Sequence, residues 1–317
     1  PKVGGWSADN CYGGSDAFRG TQDTGNKETD MTTLATDSQA CVAQAIQKVT
    51  QIATLPEITA KIIQVVEDPK SSVKDLHEII KHDVALSAKI LKVVNSAFYG
   101  LPRQVGSVDR AIVLLGLSTV KNIAIATSIT KLFRGQRLAT KYSPKDLWAH
   151  SLATGVFCKL IAEARGFENP DEIFVAGLMH DIGIVVEMQV FSNQLCELID
   201  SASEKGTALC EAEIAALQAD HQAFGAGLSV KWKFPSMFQL ATGYHHEPMK
   251  ASAPGQIVAA MVHVAEVMAC HKEIGFCLEG TDVQEEALEL VELPDERLEE
   301  LLGAFDEKYA AVESVMN

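Results

Sequence analysis

Apolar residues recur at helical spacing through nearly the whole chain from Ala40 onward, and no stretch sustains a two-residue alternation of β-branched and polar side chains. A repeat of 3.6 residues gathers positions i, i+4, i+7 and i+8 on one face, whereas a half-buried strand needs strict alternation. Ile58, Ile62, Val65 and Val66 fit the helical pattern between Leu55-Pro56 and Asp68-Pro69. Proline lacks an amide donor and restricts its predecessor, so these two pairs mark the start and the end of a helix. Leu76, Ile79 and Ile80 repeat the spacing, as do Leu86, Ile90, Leu91 and Val94. Asp109 is placed to cap a helix carrying Ile112 and Leu115, and Val120, Ile123 and Ile125 follow Gly116. Ser143-Pro144 opens a further helix with Leu147, Trp148, Leu152, Val156 and Leu160 on its inner side. The expected fold is all α.

The pattern divides the chain. Residues 1–37 are rich in Gly, Ser, Asp and Thr and show no apolar periodicity; such a segment buries too little apolar surface to offset its ordering entropy and is expected to be a flexible leader. A globular body is expected over 40–275, in an N-terminal helical half at 40–135 and a second half at 140–275 that holds seven of the nine histidines. An acidic helical tail is expected over 276–317. Between Glu279 and Glu307 twelve acidic residues stand against one basic residue, Arg297, so most of the net charge of −15 lies there. The nearly balanced body has no basic stripe for neutralising phosphates, and direct nucleic-acid binding is not expected. No membrane span is expected, and the N-terminal residues lack the apolar core of a signal peptide. Seven cysteines, an odd number with no Cys-x-x-Cys pair, read as reduced thiols of a cytoplasmic protein.

The residues able to carry chemistry are His150, His180, Asp181, His221, His245, His246 and Glu266. Neighbours on a helix point about 100° apart, so one metal engages both His180 and Asp181 only at a helix end or edge. Gly183 just beyond permits a close backbone approach or a helix terminus. Glu266 sits in an otherwise apolar run, where a carboxylate needs a partner. Imidazoles and carboxylates together suit Zn, Fe or Mn. One site would comprise His150, His180, Asp181 and Glu266, with Asp181 bridging to a second made by His221, His245 and His246. His77, His82, His263 and His271 are expected to be surface or hydrogen-bonded residues without a ligand role.

His180-Asp181-Ile182-Gly183 resembles the HDIG signature of the HD superfamily of metal phosphohydrolases. The N-terminal half resembles one branch of it, the HDOD family. The matching pieces are Leu55-Pro56, Val66-Glu67-Asp68-Pro69, Ile79-Ile80-Lys81-His82-Asp83, Lys89-Ile90-Leu91, Asn95-Ser96-Ala97-Phe98-Tyr99-Gly100, and Ala111-Ile112 with Leu114-Leu115-Gly116. They cover roughly residues 50–250, and the Asn-Ser-Ala-Phe-Tyr-Gly run is the most specific. The resemblance implies an HD-domain, phosphodiesterase-like helical bundle with an N-terminal HDOD subdomain. It also implies a regulatory role in bacterial signal transduction, exercised through partner signalling proteins.

His150, His180 and Asp181 match the superfamily's metal set, and Glu266 stands where its last Asp would fall. His221 and His245-His246-Glu247 resemble additional ligands of the HD-GYP phosphodiesterases, but Pro248-Met249-Lys250-Ala251 replaces the Gly-Tyr-Pro segment. The expectation is therefore a regulatory or protein-interaction output module, with a divalent metal (Fe, Mn or Zn) structural or regulatory. The alternative is a metal-dependent phosphohydrolase acting on a nucleotide or phosphoester.

Overall fold

The computed structural model describes residues 38–49, 57–67, 70–133, 137–278 and 282–316, and no strand occurs among them. The leader expected over 1–37 and the pairs Leu55-Pro56 and Asp68-Pro69 lie outside the described residues. A first helix, α1, covers 38–49. The N-terminal half continues with α2 (Glu57–Glu67), α3 (Val73–Lys81), α4 (Val84–Val94), α5 (Val108–Leu115) and α6 (Leu117–Ile129). Its inner faces are those the periodicity marks: Ile62, Leu76, Ile80, Leu86, Ile90, Val94, Ile112, Val120, Ile123 and Ile125 are buried. One boundary differs. Ser107, not Asp109, caps α5, its hydroxyl accepting from the Arg110 amide, while Asp109 lies in the first turn.

The second half is built on α7 (Pro144–Arg165), which packs against α8 (Pro170–Met179) and α14 (Ala253–His271). Ser143 and Asp146 close a reciprocal cap at the start of α7, and Gly166 ends it at φ 72°. Leu147 to Ala162 are buried almost without interruption, because helices cover α7 on all sides. The half is completed by α9 (Ile182–Val190), α10 (Ser192–Lys205), α11 (Leu209–Leu217), α12 (His221–Lys231), α13 (Ser236–Tyr244) and a 3₁₀ turn at Pro248–Lys250, with α12 packed against both α9 and α13. The stretch Pro170–Val190 is long and apolar enough to cross a membrane by length and composition alone. However, 83% of its window is buried in the protein core, and the helix breaks in the middle at His180-Asp181.

The Asn-Ser-Ala-Phe-Tyr-Gly run joins the two halves. Asn95 ends α4 and pins the following loop, its amide donating to the Leu91 and Val105 carbonyls while its oxygen accepts from the Val105 N–H. Phe98 is buried 5.3 Å from the Phe174 ring on α8. The Tyr99 hydroxyl donates to Asp171 Oδ1 at 2.9 Å, Thr119 donates to Oδ2 at 2.8 Å, and Lys159 of α7 reaches Oδ1 at 2.6 Å. Lys159 also lies over the Phe98 and Tyr99 rings. A buried carboxylate satisfied by three donors from three segments fixes α4, α6 and α7 against α8.

The acidic C-terminal segment is a docked part of the fold. α15 (Glu285–Val291) packs on α14, and α16 (Asp295–Met316) lies along α7 and α4. Leu298, Leu301, Phe305, Val312 and Met316 are buried, and Phe305 stacks on Phe157 of α7 with ring centroids 4.0 Å apart.

Candidate metal centre

Six helices deliver the seven singled-out side chains to one place. α7 carries His150. His180 and Asp181 form the junction between α8 and α9, the helix-end position that lets adjacent residues face one centre. The junction lies against the start of α12: a Cβ built on Gly183 would come within 1.8 Å of the His221 carbonyl oxygen. His221 is the first residue of α12, behind Asp220, whose side chain accepts from the Ala223 N–H. His245 and His246 follow the end of α13, and the His246 N–H donates to Gln222. Glu266 projects from α14.

Asp181 sits in the middle and divides its oxygens between two sets. Oδ2 is 3.8 Å from His150 Nε2 and 3.2 Å from His180 Nε2. Oδ1 is 3.6 Å from His221 Nε2 and 3.7 Å from His245 Nε2. His246 closes the second set, with Nε2 2.9 Å from His221 Nε2 and Nδ1 3.6 Å from Glu266 Oε2. His180, His245 and Glu266 also lie close enough together to share an ion.

The outward nitrogens fix what the inward ones are. A carbonyl can only accept, so His180 Nδ1–H donates to Gly177 O (2.7 Å) and His245 Nδ1–H to Ala241 O (3.0 Å). His221 Nδ1–H donates to the buried Glu213 carboxylate at 2.8 Å, which also accepts the His221 backbone N–H. Each Nε2 then points inward as an acceptor, yet His245 Nε2 and His221 Nε2 stand 3.3 Å apart. A proton on His221, favoured by Glu213 against the opposing effect of burial, reconciles one such contact. It leaves His180 Nε2, fully buried and without a hydrogen bond, facing the same carboxylate. A convergence of lone pairs on a carboxylate is what a cation requires, so the donor set fits divalent metal.

Burial alone would raise Asp181, but the surrounding imidazoles, His180 foremost, hold its carboxyl well below the usual carboxylate range. Burial and neighbouring imidazoles push His245 and His246 well below the ordinary histidine range, which keeps them neutral donors. His263 meets its expectation: its Nδ1–H donates to the His245 carbonyl and its Nε2 accepts from Gln284 N–H.

The sequence missed three participants. Glu213 is invisible as a partner of His221, because α11 gives it no motif. Cys277 stands 3.7 Å from His150 Nδ1, across 127 residues of chain. Cys270, one turn beyond Glu266 on α14, lies within 4.8 Å of the Cys277 sulfur, and Cys270 first, then His150, hold the Cys277 thiol below its ordinary range.

The HDOD domain model matches residues 52–248. The chain resembles an HDOD domain protein of unknown function from Geobacter sulfurreducens, with a TM-score of 0.76 at 24% identity over 89% of this chain and 99% of that one; this likeness shows the shared fold. A Treponema pallidum protein of uncharacterised function is 25% identical over 67% of this chain and 41% of its own length. The cyclic di-GMP phosphodiesterase CdgJ of Vibrio cholerae is 24% identical over 49% of this chain and 34% of its own length. The chain spans about a third to two fifths of the length of the curated relatives it matches. With the family model matching well over half of its length, this chain belongs to the HDOD domain family, whose members are associated with signal transduction.

Proposed function

We propose that this chain is a cytoplasmic output module of bacterial signal transduction that binds another signalling protein, and that its buried cluster holds divalent metal as a structural or regulatory centre. His150, His180, Asp181 and Glu266 would hold one ion, and Asp181, His221, His245 and His246 a second. The observation that carries this reading is a ligand set both complete and closed. His150, His180, Asp181, His221, His245 and Glu266 are each at most 5% exposed, and only the His246 side chain reaches 13%. So little exposure leaves scant room for a substrate beside the ions, and a catalytic ion must keep one position open to water or substrate. Gln284 narrows the rim further by donating to the His246 carbonyl at 2.6 Å. Lys231, the last residue of α12, stands about 15 Å along its axis from His221.

A second reading, metal-dependent phosphohydrolysis of a nucleotide or phosphoester, is favoured by the way Asp181 divides its two oxygens between two imidazole sets. Bound ions would supply Lewis acidity toward a phosphoryl oxygen. The chain's own residues would hold the tautomers that keep Nε2 inward and exclude water around them. The activity in the CdgJ name does not decide for this reading, because the match leaves two thirds of that protein outside it.

Elemental analysis of protein purified without added metal or chelator, beside the His180→Ala variant, tests the centre. About one or two equivalents of Fe, Mn or Zn are expected in the wild type and a loss in the variant. Wild type that stays metal-free after reconstitution with each ion ends the metal reading. Turnover of a generic phosphodiester, lost in His180→Ala and Asp181→Ala variants that still fold, would select the enzyme over the module.

A further inference from the structure

His150 differs from the other imidazoles in what holds its outward nitrogen. His180 and His245 face carbonyls, and His221 Nδ1, although 3.9 Å from the Cys210 sulfur, donates to the Glu213 carboxylate, whereas the hydrogen-bond partner of His150 Nδ1 is the sulfur of Cys277. Cys270 approaches the same point, and the three ligand atoms of His150, Cys270 and Cys277 lie within 4.8 Å of one another. We propose that His150, Cys270 and Cys277 form a separate thiolate-type metal site, selective for a soft or borderline ion of the Zn²⁺ class, on the far side of His150 from Asp181.

The geometry supports a coordination site over an incidental thiol contact. Zn–S and Zn–N bonds of about 2.3 and 2.0–2.1 Å around a tetrahedral ion place sulfur and nitrogen ligands roughly 3.6 Å apart. The Cys277 Sγ–His150 Nδ1 separation is 3.7 Å. The loop that carries Cys277 is held at α7 independently of the thiols. Phe276 N–H donates to the Asp146 carbonyl at 3.2 Å, and Gly275, at φ 74°, packs so closely that a Cβ would come within 2.2 Å of that same oxygen. Its Phe276 ring also sits edge-on to Tyr142, with centroids 5.0 Å apart. Cys270 is buried on α14, a rigid core helix, at four residues from Glu266 and so on the same face. Two ligands thus come from fixed elements and the third from a pinned loop, which is the preorganisation a metal site needs. Thiolate sulfur selects Zn²⁺ or Cu⁺ over Mn²⁺ or Mg²⁺, so this site would take a softer ion than the carboxylate-centred cluster; with both filled, His150 would release its ring proton and bridge the two ions as an imidazolate. Three protein ligands leave a fourth position, and Cys277 is partly exposed, so the ion has an entry path from that side.

The site shares His150 with the metal centre proposed above but needs no ion there. The test uses the full chain, chelator-treated under reducing conditions and then titrated with Co²⁺ and afterwards with Zn²⁺. A sulfur-to-cobalt charge-transfer band saturating at about one equivalent and bleached by Zn²⁺ is expected. The band is expected to persist in the Asp181→Asn variant and to vanish in Cys277→Ser, at the partly exposed position, as well as in Cys270→Ser. Circular dichroism of each variant separates loss of the site from loss of the fold. Absence of the band in wild type with both thiols free overturns the proposal, as does a band that survives Cys277→Ser. A thiol count showing Cys270 and Cys277 already joined as a disulfide under these conditions would overturn it too.

Discussion

Glu187 lies on α9, fully buried beside the carboxyl group of Glu213. Burial, and then the Glu213 carboxylate beside it, push its pKa well above the ordinary value of 4.5. A carboxyl with a raised folded pKa is neutral in the folded protein while ionised in the unfolded chain, so folding takes up a proton. Its contribution favours the native state below pH 4.5 and is lost as pH rises from there toward the folded value, by up to about 1.4 kcal/mol per pH unit. The Glu187→Gln variant keeps the shape without that proton. It is expected to gain stability relative to wild type as pH rises from about 5 to 7, measured by thermal melts of chelator-treated protein. A constant difference across that range would mean that Glu187 is ionised in the folded state. The seven clustered ligand candidates were legible in the sequence because histidines and acids on apolar helices are conspicuous. Glu187 and Glu213 were not, since a carboxylate on a short helix reads as a solvated charge until the fold places a second helix over it. Cys277 was hidden for the same reason, its partner His150 being 127 residues away.

At the scale of elements, the centre depends on how closely α9 and α12 approach. Gly183 stands where any Cβ would meet the His221 carbonyl oxygen at 1.8 Å and the Gly225 amide nitrogen at 2.8 Å. Both neighbours are backbone, so no side chain can swing aside. Gly183→Ala must push α12 away, and with it His221, at a cost of about 2–3 kcal/mol or more. The expected outcome is a Tm several degrees lower together with weakened metal retention, whereas unchanged melting and metal content would show that the two helices have slack. The sequence pointed to this contact through Gly183 itself, and to the helix break through the adjacent His180 and Asp181. It misplaced the start of α5, because Ser107 and Asp109 are both competent caps and only the turn geometry chooses between them. The apolar stretch Pro170–Val190 went unremarked because His180 and Asp181 interrupt it in sequence; in the fold the interruption is the site, and the apolar flanks are the core.

At the scale of the molecule, the acidic C-terminal segment is the part composition describes worst. Its charges suggest a solvated tail, but the apolar residues between them face inward along the length of α16. That helix touches α7 in one half and α4 in the other, and Lys308 donates to the Phe98 carbonyl in the joint between them. Its largest buried anchor is Phe305, stacked parallel to Phe157 at 4.0 Å, with both rings inaccessible to solvent. Truncating a buried Phe to Ala costs about 3–5 kcal/mol through lost transfer energy and the cavity left behind. A tail that merely rests on the surface would lose its own order and leave the main unfolding transition where it was. A strap across both halves would instead shift the whole transition. Phe305→Ala is therefore expected to lower the midpoint of a single cooperative urea transition, monitored by far-UV circular dichroism of the whole helical fold. An unchanged main midpoint alongside early proteolysis of the last helix would mean that α16 folds as an independent appendage.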